Sequence, residues 1–311
     1  MFRLRRWQWA TAVIVLCAAV AAGLWYWRVR ARETPADMVA YLPASDSLVL
    51  FVDMRAIRRS GVLDTIVGSK SAEEPEYRRF IQQTGFDYRE NLDALAIAIH
   101  DNPITHERDL YTVASGDFDW DRIPAYATSQ GGVCSAGFCR IAASQPHRFL
   151  SFYKLRRHLL ALATSSDQWG ALQVTRRPGV SPPPDLPTEP VWMLVPNTVL
   201  QSSADLLPEG TLAYASALRA AQRVVLSLGP QGDHLAVSLE ATCRNADDAS
   251  ALTAQLQKLT DTLKTWIARE HAKANPADLS GVLTAGTFRR DDRRVYGVWP
   301  IQKEFIQALS K

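Results

Sequence analysis

The chain has 311 residues, 47% of them hydrophobic and 22% charged, which is enough for about two domains with ordinary globular cores. Its formal net charge of +3 is gathered at one end: Arg3, Arg5, Arg6, Arg28, Arg30 and Arg32 all precede the first acid, Glu33, and without them 29 basic residues face 32 acidic ones. That distribution excludes the basic folded surface a nucleic-acid binder needs, so no nucleic-acid partner is expected.

Between Arg6 and Arg28 runs WQWATAVIVLCAAVAAGLWYW, 21 residues without a charge. As a helix rising about 1.5 Å per residue it spans a hydrocarbon layer of about 30 Å. Trp7 and Trp9 at one end and Trp25, Tyr26 and Trp27 at the other suit the aromatic belts of the two interfaces. The rival reading is a cleaved signal peptide, since Ala19-Val20-Ala21 before Ala22 offers the small residues that signal peptidase accepts. Three arginines flank each side, so the positive-inside rule is almost balanced. The short tail in front favours the N-terminus inside and the domain outside. Residues 1–32 are therefore expected to be a membrane anchor with basic flanks, contacting the membrane through 7–27. The protein would then be a single-pass inner-membrane protein with a periplasmic C-terminal domain.

After a linker over 33–42, SLVLFVDM reads as a strand and opens a first unit over 43–175. EEPEYRRFIQQTG has acids in its first turn and Gly85 at its end, the pattern of a capped helix. LDALAIAIH alternates bulky Leu95, Ile97 and Ile99 with small Ala94, Ala96 and Ala98, a strand with one bulky and one small side. DLYTVASG follows as a strand, DFDWDRIPAYATSQGG as a helix capped by Asp117 or Asp119, and CRIAAS and RFLSFYKL as a closing strand pair.

Six prolines in RRPGVSPPPDLPTEP (176–190) break any regular element and mark a second linker. A second unit over 191–311 repeats the order: VWMLVP, a helix, AQRVVLSL, a tight turn, HLAVSLEA, the long helix NADDASALTAQLQKLTDTLKTWIAREH, and the hairpin SGVLTAGTFRRDDRRVYGVWPI. The fold class expected is α+β: an N-terminal transmembrane helix followed by two tandem ferredoxin-like (βαββαβ) units with antiparallel sheets. In the long helix, Leu252, Leu256, Leu259, Leu263, Trp266 and Ile267 recur at steps of three and four as one apolar stripe, read as packing on its own sheet.

The stretches LP…VLFVDMRAIRRSG, QTGFDYRENLDALAIA, CRIAASQP…SFYKLR and DLSGVLTAGTF…RRVYGVWPI resemble, across most of the chain, uncharacterised bacterial membrane-anchored extracytoplasmic proteins. The resemblance implies an exported, duplicated α+β domain, and it brings no activity and no catalytic residues with it.

Cys134 and Cys139 lie in GGVCSAGFCR, a Gly-rich loop entering a strand. Outside the cytoplasm two thiols this close are expected to oxidise to a disulfide. A redox pair more often has Cys-x-x-Cys at a helix N-terminus, and a zinc site needs two close pairs of ligands, so no metal is expected here. HDNPITHERD brings together His100, His106 and Glu107, which could relay a proton or bind a metal but read first as a polar loop. DFDWD lacks the Gly and Glu of a calcium loop, and no hydrolase or phosphate-loop motif occurs. The composite expectation is a non-enzymatic envelope protein without a cofactor, binding or scaffolding, with an envelope protein as a possible partner. The alternatives are an enzyme acting on an envelope substrate in the cleft between units, and a thiol-active protein using Cys134 and Cys139.

Overall fold

Leu48–Asp53 (β1) and Val191–Pro196 (β8) are each buried on both faces, and they pair with one another in the middle of a single twelve-stranded antiparallel sheet in this computed structural model. The structure describes residues 33–61, 75–101, 107–175, 185–202, 211–232, 234–270 and 273–309. The expected anchor over 7–27, His106 and most of the proline tract lie outside these residues. Among the described residues no helix is long and apolar enough to cross a membrane.

On one side of the central pair come β2 (Leu92–Asp101), β3 (Arg108–Gly116), β7 (Leu159–Ser165), β6 (Phe149–Arg156), β5 (Phe138–Ala142) and β4 (Val133–Ser135). On the other come β9 (Arg223–Gln231), β10 (His234–Thr242), β12 (Arg294–Ile301) and β11 (Thr287–Asp291). Read outward, each half places its first three strands in sequence, then returns through its last strand before its second-to-last.

This overturns the expectation of two ferredoxin-like units. In that unit each helix joins two successive strands that are not neighbours in the sheet, whereas here β1 pairs directly and antiparallel with β2, and β8 with β9. The reason lies in β1 and β8. Val49 and Phe51 face one side of the sheet and Leu48 and Leu50 the other, and all would be exposed on an edge strand. Pairing Val49 with Leu194, Leu50 with Met193 and Phe51 with Trp192 buries both faces and fuses the halves.

Helices are distributed unequally over the two faces. One face carries α2 (Met54–Arg59), α3 (Pro75–Thr84), α4 (Tyr88–Asn91) and α5 (Arg122–Ser129) over the first half, and α6 (Asn197–Ser202), α7 (Leu212–Leu218), α8 (Ala246–Arg269) and α9 (Leu279–Thr284) over the second. The stretch read as a linker, 33–42, contributes to the opposite face. There Pro35–Val39 forms α1, and Met38, Val39, Tyr41 and Leu42 are buried against the sheet with a 3-10 turn at Gly170–Gln173. A last helix, α10 (Lys303–Leu309), follows β12.

The alternation in β2 is explained by this arrangement. Leu95, Ile97 and Ile99 point to the helix-bearing face, opposite Val52, Leu50 and Leu48 of β1. Ala94, Ala96 and Ala98 point to the other face and are almost completely buried, because the flat strap around Met38 and Tyr41 leaves no room for a larger group. In α8 the expected stripe is buried at Leu252 and Leu256, yet Trp266 is 62% exposed, so the stripe packs at the start of the helix and not at its end. Asn245 caps its start, accepting from the Asp248 amide at 2.8 Å.

Both sheet edges are protected. β4 has only three residues, and it is joined to β5 by a turn whose central residues, Ala136 (φ 50°) and Gly137 (φ 80°), are both left-handed, as a type I′ hairpin requires. The opposite edge, β11, carries Arg289, Arg290 and Asp291. Ala96→Leu is expected to destabilise the protein by about 1–3 kcal/mol through overpacking, seen as a lower urea midpoint with an unchanged slope.

Candidate functional site

Of the residues singled out by sequence, the cysteines are joined, and the two described residues of the polar loop, His100 and Glu107, make separate contacts. Cys134 and Cys139 face one another across the β4–β5 ladder and form a disulfide, with Cys139 buried. Cys243 is free and buried, and desolvation raises its pKa, which makes it a packing residue. His100 Nδ1 lies 3.2 Å from the Ser47 hydroxyl. Glu107 instead accepts from Nη1 of Arg148 at 3.1 Å.

Arg148 is itself buried. It lies 3.7 Å from Asp109, donates to the Thr164 carbonyl at 2.9 Å and donates also to the Arg108 carbonyl, so it pins β3 to β7. His100 and Glu107 thus serve separate structural contacts. Among the described residues no three His, Cys, Asp or Glu side chains converge as a metal site.

What the sequence did not reveal is a pair of apolar cavities between the sheet and its helices. The first, of about 210 Å³, has a floor of Leu50, Ile99, Met193 and Leu226 and is roofed by α6 and α7. Ser216 and Arg219, at the end of α7, are the polar residues of its lining. The second, of about 260 Å³, lies under α3 and α5 and is lined mainly by aromatic and aliphatic groups, among them Phe80, Phe86, Phe118, Tyr126 and Phe152.

The walls of the second cavity are braced by ring contacts. Phe80 meets Tyr126 edge-on at 5.2 Å, and Phe86 stacks on Phe118 at 5.3 Å. A dry engineered cavity of about 150 Å³ lined by such groups takes benzene or xenon, so each of these has room for an apolar guest. Among the described residues no carboxylate, imidazole or thiol lines either one.

Asp87 positions the wall between α3 and α4. Its carboxylate accepts from Tyr77 Oη at 2.8 Å, from the Arg89 amide at 2.8 Å and from the Arg89 guanidinium at 2.6 Å. The Arg89 hydrogen bonds hold its carboxyl below the ordinary value of 3.8, and burial pushes the Tyr77 phenol up.

No family model matches the chain, and no curated protein matches it. Solved structures similar to it include three crystal forms of TP0453. Form I has a TM-score of 0.47 at 12% identity, covering 89% of this chain and 97% of that one. Forms III and IV have TM-scores of 0.44 and 0.43 at 11% identity, covering 89% of this chain and 99% and 97% of those chains.

Titration of the unfolded chain should find two free thiols before reduction and four after. Cys134→Ser with Cys139→Ser should cost about 2 kcal/mol, the loop-closure value for so short a loop. Because the Asp87 pKa is lowered by folding, its contribution is complete above the unfolded value and is lost as pH falls through the folded one. Asp87→Asn should therefore flatten stability against pH below about 4 in acid unfolding curves.

Proposed function

We propose that this chain is a non-enzymatic envelope protein, tethered to the inner membrane through residues 7–27, whose periplasmic domain binds an apolar group in the cavities of its helix-bearing face. The cavities carry this reading. Among the described residues their linings offer mostly contact area: the first adds one hydroxyl and one guanidinium to aliphatic walls, and the second adds aromatic rings and the residues Thr84 and Tyr126. A pocket of that character supports binding.

Export is supported by the disulfide, since such bonds persist in oxidising compartments. The matching strand order of the two halves supports a tandem duplication, with β1–β3 corresponding to β8–β10 and β7 and β6 to β12 and β11.

A phosphatase reporter fused after Lys311 should be active in intact cells, and activity confined to a cytoplasmic reporter would sink the topology. Toluene should raise the thermal midpoint of the full chain by roughly 2–4 °C for each kcal/mol of binding linkage. Ala215→Phe combined with Leu162→Trp, which fills both cavities, should abolish that rise. An unmoved wild-type midpoint would remove the binding reading.

A further inference from the structure

We propose that the first cavity takes the aliphatic chain of a monoacyl carboxylate, a fatty-acid-like anion, and that Arg219 binds its head group. This rests on the reading of the cavities as binding sites, and it deepens that reading at one of them. The cavity's floor is made by four central strands, contributing Leu48, Leu50, Ile99, Met193 and Leu226, so an entering group meets branched aliphatic and thioether surface. Its volume of about 210 Å³ exceeds the roughly 150 Å³ that holds benzene, and its aliphatic walls suit a slender flexible chain.

Arg219 gives the site its polarity. It lines the cavity at the C-terminal end of α7 and is exposed, and among the described residues no acid pairs with it. Its guanidinium is also not needed to finish the helix. The Arg219 carbonyl accepts from Gln201 Nε2 at 3.1 Å, and Asn197 Nδ2 donates to the Ala221 carbonyl at 2.7 Å, so side chains of α6 already satisfy this helix end.

An exposed arginine lining an apolar cavity, with no acid beside it among the described residues, matches a carboxylate attached to a hydrocarbon, because its planar fork binds that group through two parallel hydrogen bonds. Among the described residues the second cavity has no cation in its lining, and it is not expected to share the preference.

The test uses the full chain in its membrane at pH 8, with a diazirine-bearing octanoic acid, whose chain suits a cavity of about 210 Å³, and the alcohol of the same chain as probes. Crosslinks are mapped to peptides from β8 and α7. The acid should label these peptides about fivefold more than the alcohol, the value of roughly one ion pair. Arg219→Gln should bring the acid down to the level of the alcohol, Arg219→Lys should restore part of the difference, and Ala215→Phe should lose labelling by both probes.

Equal labelling by acid and alcohol in the wild type, or an Arg219→Gln variant that keeps the difference, overturns the head-group assignment and leaves the cavity reading standing. Failure of both probes to label these peptides in the wild type overturns both. Arg219→Gln removes only an exposed side chain and leaves the backbone carbonyl that α6 caps, so its fold is preserved.

Discussion

Phe51 and Trp192 lie opposite one another across the ladder that joins β1 to β8, their rings stacked 5.2 Å apart. Such a pair adds about 0.5–1.5 kcal/mol to the burial of its surface. Its larger effect is on architecture. With both faces of both strands apolar, neither half can end at its first strand, and the lowest-energy solution is one sheet twice as wide. The α1 strap then covers the seam from the side that holds both aromatic rings, and Asp53 donates its amide to the Pro190 carbonyl where the two halves meet.

The two halves share an order of strands and differ in how well their helices cover them. Over β10 and β12 the 24-residue α8 lays Leu252 and Leu256 onto Leu239 and Trp299, and that region is filled. Over β3 and β7 the corresponding helix, α5, has eight residues and leaves the aromatic cavity beneath it. The cavity under α6 and α7 has a related origin, since two helices of six and seven residues roof four strands. Empty apolar space forfeits dispersion contacts, so short helices over a broad sheet weaken the fold while making room for a guest.

Local structure was legible in the sequence wherever one residue pattern had one physical cause. The period-two alternation of 92–101 and the close cysteine pair both correspond to what the chain forms. The partnership of strands was not legible. The order strand, helix, strand, strand, helix fits both a crossover unit and this meander, and only the doubly buried β1 and β8 distinguish them. That signal was present in SLVLFVDM and VWMLVP, whose apolar residues run without alternation.

The cavities were invisible for a different reason. Leu50, Ile99 and Met193 read as ordinary core, and nothing in their spacing says that the helices above them are too short to fill the space. Arg219 carries no sequence signal at all, because its place beside the cavity is a property of the packed chain.

The sheet stops at twelve strands for reasons that can be located. At one end a three-residue strand is clasped to its neighbour by Cys134 and Cys139, and at the other Arg289 and Arg290 stand on the outermost strand. Such a broad ribbon is a template, and any further segment could extend it at either margin by backbone pairing alone. One margin is closed by covalent chemistry and the other by charge, so growth there responds to different surroundings: a reducing environment loosens the first, and high ionic strength screens the second. The protein's resistance to polymerising is in this sense conditional on the compartment that holds it.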